Sequence, residues 1–334
     1  MSNSAVISPK KKNNVFSLLP YNSSQASISQ AKKCLLPIVG IVVFLLMWSL
    51  AAKQVQTSLG TLPGPYETAQ QFSGLVDEHF ASREKEQAFY DRQEARNEAK
   101  LAKDPSAEVR IRPYTGKATF FDQIATSLLT VAAGFLLATV IAIPVGIVLG
   151  LNQSLYQAFN PVIQLLKPVS PLAWLPIITM VVSATYVSDE PMFDKAFINS
   201  LLTVCLCCIW PTLINTTVGV NSVDKDLLNV SKVLRLSWWQ HVKTIVLPSA
   251  VPMIFTGLRL SIGIAWMVLI AAEMLAQNPG LGKFVWDEFQ NGSSDSLGRI
   301  MVAVIVIGFI GLLFDKGMLL LQKKISWDKK QELR

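Results

Sequence analysis

"NVSKVLRLSWWQHVKTIVLP", residues 229–248, lies between two long apolar runs. It is too apolar for a plain loop and too charged to cross a bilayer. It carries Lys232, Arg235, His241 and Lys243, the adjacent Trp238 and Trp239, and a closing Leu247-Pro248. Together with Leu227, its apolar positions Val230, Leu234, Trp238, Val242 and Ile245 fall at intervals of 3, 4, 4, 4 and 3. That spacing predicts one side of a helix, with Ser231, Lys232, Arg235 and Gln240 elsewhere around it. Pro248 is expected to stop the pattern just before the next span. Such a rod suits a membrane surface, where Trp and Lys fit the interface. It equally suits the groove of a soluble partner that grips the apolar side. Charge and pattern leave both uses open.

The rest of the chain supplies the setting. Of its 334 residues 51% are hydrophobic and only 16% charged, too apolar for an ordinary soluble domain. A span needs ~20 apolar residues to cross a ~30 Å hydrocarbon core. Six stretches qualify: 35–52, 123–151, 169–187, 196–220, 249–276 and 300–321. None alternates as a barrel strand does. The expected fold class is therefore an all-α integral membrane protein with six transmembrane helices.

Orientation follows from the lysines and arginines. The first 34 residues hold Lys10, Lys11, Lys12, Lys32 and Lys33 and no acidic residue, and the tail after 321 is also basic. The 221–248 connection adds Lys225, Lys232, Arg235 and Lys243. These three segments share one side, which should be the cytoplasm, so both termini are placed inside. The opposite side receives 188–195, 287–296 and the 53–120 segment, whose ten basic and ten acidic residues cancel. The 35–52 run is read as a retained span rather than a cleaved signal, because its 34-residue leader is long for one. The expected divisions are a cytoplasmic tail 1–34, a first span 35–52, an external and largely helical insert 53–120 (periplasmic if the membrane is a bacterial inner membrane), a core 121–322 and a cytoplasmic tail 323–334.

Smaller features narrow the chemistry. Cys205, Cys207 and Cys208 lie within one span without zinc-site spacing, and His79 and His241 fall on opposite sides, so no metal site is expected. Residues 66–104 contain no proline and are rich in helix formers, which predicts one or two exposed helices ending near Asp104-Pro105. They are a solvated spacer or a docking surface for an external partner. Gly146 and Gly150 are expected to let another helix approach closely, and Pro144 to kink the span that holds them. Pro161, Pro168, Pro171 and Pro176 predict a short amphipathic helix, a turn and then the third span. No inverted repeat of the kind many secondary transporters carry is visible. Gly280-Leu-Gly282-Lys283 lacks the spacing of a phosphate loop, so the chain is not expected to hydrolyse ATP.

The opening stretch, continued through "SAVPMIFTGLRLSIG" (249–263), resembles the EAA loop of ABC importer permeases. That pattern is Glu-Ala-Ala, three residues, Gly, nine residues, Ile, any residue, Leu-Pro. Asn229-Val230-Ser231 stand at Glu-Ala-Ala, Arg235 at the glycine, Ile245 at the isoleucine and Leu247-Pro248 at Leu-Pro. The spacing matches throughout while the first four identities do not. "KPVSPLAWLPI" (167–177), "WPTLINTTVGV" (210–220) and "LAQNPGLGKFVWDEF" (275–289) resemble the nitrate, bicarbonate, sulfonate and taurine branch, closest to nitrate permeases. The similarity covers roughly 120–320; the 66–117 insert and the 184–195 segment are long for the family. The resemblance implies a five-helix type I permease core with a coupling helix inside an EAA-like segment, 224–248. It implies a bacterial inner-membrane homodimer on two cytoplasmic ATPase subunits, which would bind ATP and Mg. A periplasmic or lipid-anchored solute-binding protein would deliver the anion; no cofactor and no nucleic acid are implied. Asn229, Val230, Ser231, Lys232, Leu234, Arg235, Leu236, Trp238 and Trp239 are then the residues expected to couple to the ATPase. Nitrate is the leading substrate, with bicarbonate, taurine or alkylsulfonates as alternatives. A stand-alone channel or secondary transporter and a membrane enzyme are the rival classes.

Ionisable groups within spans are expensive and mark candidates. Arg259 is either a helix-pairing arginine or an anion contact. Glu273 lies ~21 Å further along the same run and within ~40° of the same face. It repels anions, so it and Asp315 are expected to be gating or structural ion-pair residues. Uncharged candidates for a translocation path are Ser127, Thr130, Ser170, Trp174, Asn199, Thr203, Asn215, Thr256 and Trp266, which could hydrogen-bond an oxyanion weakly. Each alone is more often a packing residue.

Overall fold

The computed structural model describes residues 23–57, 60–104, 108–109, 111–187, 192–293 and 295–325, with side chains from Leu35 onward except Thr57. The basic residues expected at 10–12 and 329–334, and part of the 188–195 segment, lie outside these. The chain divides after Val55 into two units. The first holds α1 (Ser23–Gln54), which carries exposed apolar side chains such as Leu36, Phe44 and Leu50 over its 35–54 stretch. A helix apolar all round belongs in a core or a membrane.

The second unit opens with a two-residue ladder, β1 (Gln56–Thr57) on β2 (Gly60–Thr61), which the sequence reading did not foresee. Next comes α2 (Pro65–Leu101), a single helix of 37 residues across the predicted insert. Its first half is no free spacer. Leu75 joins the main core, and Gln71 bonds Asp295, His79 bonds Thr119, and Arg83 pairs with Asp122. α3 (Phe120–Leu151) starts in a reciprocal cap, with the Thr119 N–H donating to Asp122 and the Asp122 N–H to Thr119. α4 (Gln153–Leu166) and α5 (Pro171–Thr185) meet at 100°. Ser170 caps α5 and Pro171 occupies its first turn, where a missing N–H costs nothing. The bend is thus the proline-broken path the sequence predicts. α5 alone is only ~22 Å long, so the expected third span is corrected to half of a bent pair. Among the described residues five helices are long and apolar enough to cross a membrane, and six spans result if the pair counts as one.

α6 (Lys195–Asn221) is the centre. The α3 residues Gly134, Ala138, Ala142, Gly146 and Gly150, spaced by fours, are all buried. A Cβ on Gly146 would stand 2.7 Å from Thr216 Cβ, one on Gly150 2.6 Å from Val220 Cβ, and one on Gly134 2.9 Å from the Leu201 carbonyl. The pairings keep one offset along both helices, so α3 and α6 run parallel. On the other side lies α9 (Leu247–Ala276), antiparallel to α6. Gly219 meets Met253 and Gly257 meets Pro211 and Asn215, with the order reversed. At Pro211 the α6 ladder opens, because proline has no N–H and its ring crowds the preceding turn. Ser261 of α9 fills the opening, accepting from the Thr212 N–H at 3.1 Å and donating to the Cys208 carbonyl at 2.6 Å. α10 (Leu281–Asn291) and α11 (Ser296–Ile325) close the unit against α9.

Overpacking a core costs about 1–3 kcal/mol. Gly146→Val is expected to lower the melting temperature of the purified protein clearly, whereas Gly263→Ala, with nothing within 4 Å, leaves it unchanged.

Candidate functional site

The stretch that opened the sequence analysis folds as an elbow rather than a rod. α7 (Lys225–Val233) ends in a paired closure: the Leu236 N–H reaches the Ser231 carbonyl and the Arg235 N–H the Lys232 carbonyl, both at 3.2 Å. This is a Schellman stop, which needs a left-handed residue just past the helix. Arg235 is that residue, at φ 47°. The glycine of the EAA pattern falls here because glycine takes this conformation without strain. Two residues later α8 (Trp238–His241) starts from its own cap, with Ser237 and Gln240 bonded reciprocally. A π-helical turn, Val242–Val246, follows and runs directly into α9. The widened turn stands just ahead of Pro248, so the helix passes the proline instead of stopping there as expected.

The apolar stripe therefore splits. Val242, Ile245 and Val246 are buried, the first and last against Ile147, Val220 and Ala250. Val230, Leu234, Trp238 and Trp239 stay exposed, the two indoles stacked at 5.6 Å and 12°. Val233, which the sequence analysis did not single out, is the most exposed of them at 81%. Asn229, Lys232 and Arg235 are also exposed and Leu236 is half-buried. Ser231 faces inward and bonds His241 Nδ1 at 2.8 Å, tying α7 to α8, which runs on into α9.

At the far end of α9 the Glu273 carboxylate is fully buried. It accepts the Ser127 hydroxyl at 2.8–2.9 Å and the Gly282 N–H at 3.0 Å. Ser127 Oγ in turn accepts the Leu281 N–H at 2.8 Å, and Asn278 Nδ2 donates to Thr130 Oγ1 at 3.2 Å. The chain reverses through Gln277, left-handed at φ 57°. A Cβ on Gly280 would overlap the carboxylate, so only glycine fits that position. The carboxylate thus meets the positive N-terminus of α10 and its unpaired N–H groups. In this clasp Ser127 is a direct partner of Glu273, while Thr130 braces the same turn through Asn278.

The remaining candidates do not converge. Arg259 makes a two-point ion pair with Asp315, Nε–Oδ1 2.6 Å and Nη2–Oδ2 3.1 Å, joining α9 to α11. Asp315 is therefore held by a residue of another helix. Trp266 is buried and donates to the Ile307 carbonyl. Thr203, Asn215 and Thr256 bond carbonyls one turn back on their own helices, and Ser170 caps α5. Asn199 Oδ1 and Trp174 Nε1 are buried without a partner among the described residues. Ser261 and Asn278 went unnoticed; Pro211 inside a predicted span was the readable sign that a group from another helix would enter the α6 ladder. Among the described residues no group of three His, Cys, Asp or Glu could hold a metal.

Residues 142–327, more than half of the chain, match the family of binding-protein-dependent transport system inner membrane components. The chain belongs to that family. It is 41% identical over 194 residues to the nitrate import permease protein NrtB of Synechococcus elongatus, spanning 58% of this chain and 66% of the relative. It is 35% identical over 297 residues to the bicarbonate transport system permease protein CmpB of the same organism, spanning 87% and 89%. The putative aliphatic sulfonates permease SsuC of Bacillus subtilis is 30% identical over 64% of the chain and 72% of the relative. In fold the chain is similar to an inward-facing MetNI methionine ABC transporter, with TM-score 0.52 and 13% identity over 62% of this chain and 95% of that one.

The protein is thus a multi-pass ABC importer permease of the inner membrane, a subunit that transports rather than an enzyme. In this permease the Glu273–Ser127 contact is measurable by a double-mutant cycle. Hydrogen bonds to a charged group contribute about 1.5–3 kcal/mol. Glu273→Ala and Ser127→Ala are expected to be non-additive by that order in unfolding of the purified subunit.

Proposed function

We propose that the permease imports a small oxyanion, nitrate foremost, as a pair of copies joined to two cytoplasmic ATPase subunits and fed by an external solute-binding protein. The observation that carries this reading is the exposed apolar elbow. Val233, Leu234, Trp238 and Trp239 present an exposed apolar patch, beside Lys232 and Arg235, that a soluble groove would cover. The same elbow is continuous with a 39-residue helical run, Trp238–Ala276, so displacement of the patch is displacement of α9. Lys232 and Arg235 flank the patch and suit acidic groups on a groove rim. ATP and Mg belong to the partner ATPase, and the basic elbow side to the cytoplasm with both termini.

Identity to NrtB favours nitrate. The longer match to CmpB favours bicarbonate as the second reading. The Arg259–Asp315 pair and the scattered hydroxyls offer an anion weak contacts, and the external binding protein would set most of the selectivity.

The test is ATP-driven uptake of labelled nitrate, bicarbonate and taurine by the assembled complex in vesicles, with permease-only vesicles as control. Nitrate uptake that needs ATP and the ATPase is the expected result; uptake by the permease alone contradicts it. Trp238→Ala combined with Trp239→Ala is expected to cut uptake at least about tenfold, removing interface anchors of ~2 kcal/mol or more, with membrane insertion unchanged. Arg235→Gly is expected to preserve uptake, since it relieves the left-handed strain.

A further inference from the structure

The distal half of α2 carries a built basic groove that the transport machinery described so far does not use. Arg92, Arg96 and Lys100 recur every fourth residue and are exposed. Arg112, on the segment that returns along the helix, faces the same cavity of 430 Å³. The return segment is fixed there: Gln93 Nε2 donates to the Arg112 carbonyl at 3.2 Å, Gln93 Oε1 accepts the Arg112 N–H at 2.9 Å, and the Tyr90 hydroxyl accepts the Tyr114 N–H at 3.0 Å. Phe89 packs against Tyr114 behind it, the rings 5.5 Å apart and tilted at 56°. None of the four basic groups forms an ion pair among the described residues. Asp91, Glu94 and Glu98 lie roughly 140–160° around the helix from Arg96, so the acidic residues are sorted to the other side.

We propose that this groove is the docking contact for an acidic face of the solute-binding protein, a reading that rests on the importer function above. The row from Arg92 to Lys100 is ~12 Å long, several times the width of a small oxyanion, so it fits an extended acidic surface rather than one substrate ion. Its position fits as well. Gln71, Glu78 and Arg83 seat the first half of α2 on the ends of α3 and α11, and the basic row begins beyond them. Unpaired charges on such a rim steer encounter and make it salt-dependent.

The test measures binding of the purified, substrate-loaded solute-binding protein to the complete transporter at low and high salt, in neutral phosphatidylcholine nanodiscs and in nanodiscs containing anionic phosphatidylglycerol, with uptake assayed in parallel. Combined Arg92→Glu, Arg96→Glu and Lys100→Glu substitutions are expected to weaken binding about tenfold or more and to flatten its salt dependence. Glu94→Lys, on the opposite side, leaves it unchanged. Equal binding by the triple variant overturns the proposal. So does a loss seen only in anionic nanodiscs, which makes the groove a lipid contact, or a change in nitrate binding alone. Row-dependent docking without nitrate transport keeps the groove and sinks the transport reading; nitrate transport with docking indifferent to the row does the reverse.

Discussion

Everything in this fold depends on how closely α6 approaches α3 on one side and α9 on the other. In lipid the hydrophobic effect does not press helices together, so association rests on van der Waals fit and interhelical hydrogen bonds. Gly134, Gly146 and Gly150 on α3, Gly219 on α6 and Gly257 on α9 remove the side chains that would hold the backbones apart. The Thr217 hydroxyl reaches the Gly146 carbonyl at 3.2 Å, and Ser261 is inserted into the α6 ladder at Pro211. These contacts join the three helices into one slab.

The two ends of α9 show what the slab is attached to. At its start the π turn passes Pro248 without a break, and the Ser231–His241 bond pins α7 alongside. At its end Glu273 fastens the reversal into α10 and, through Ser127, fastens both to the first turns of α3. Arg259 and Asp315 tie in α11 between them. α9 is therefore held at three heights by polar contacts that would be costly to leave unmade inside a membrane. That arrangement suits a lever: an external push on Trp238 and Trp239 reaches the far end of the helix with little slack.

Much of this was legible in the sequence, and the failures have physical causes. Long apolar runs declare spans whatever they pack against, and the proline cluster at 161–176 declares the bend. The rod expected from Leu227 to Ile245 failed because a period near 3.6 continued by coincidence across two helices. The stop and restart were written in local chemistry instead, in the Ser237–Gln240 cap and in the position the EAA pattern gives to glycine. Pro248 misled because a π turn absorbed it. The clasp was beyond reach: Ser127 and Glu273 stand 146 residues apart in sequence, and no periodicity joins them. Treated singly, Ser127 and Thr130 looked like path residues; together with Glu273 and Asn278 they hold a turn shut.

The central claim is that the elbow and α9 move as one rigid piece. It is tested most directly by joining α7 covalently to α8, the short helix that runs on into α9. Ser231→Cys and His241→Cys, in a chain whose own Cys34, Cys205, Cys207 and Cys208 are replaced by alanine, are bridged by a disulfide or a short thiol cross-linker. ATP-driven uptake is then measured before and after bridging. Unchanged uptake is the predicted result, because the two helices already travel together; uptake lost on bridging and, for the disulfide, restored by reduction would contradict the account.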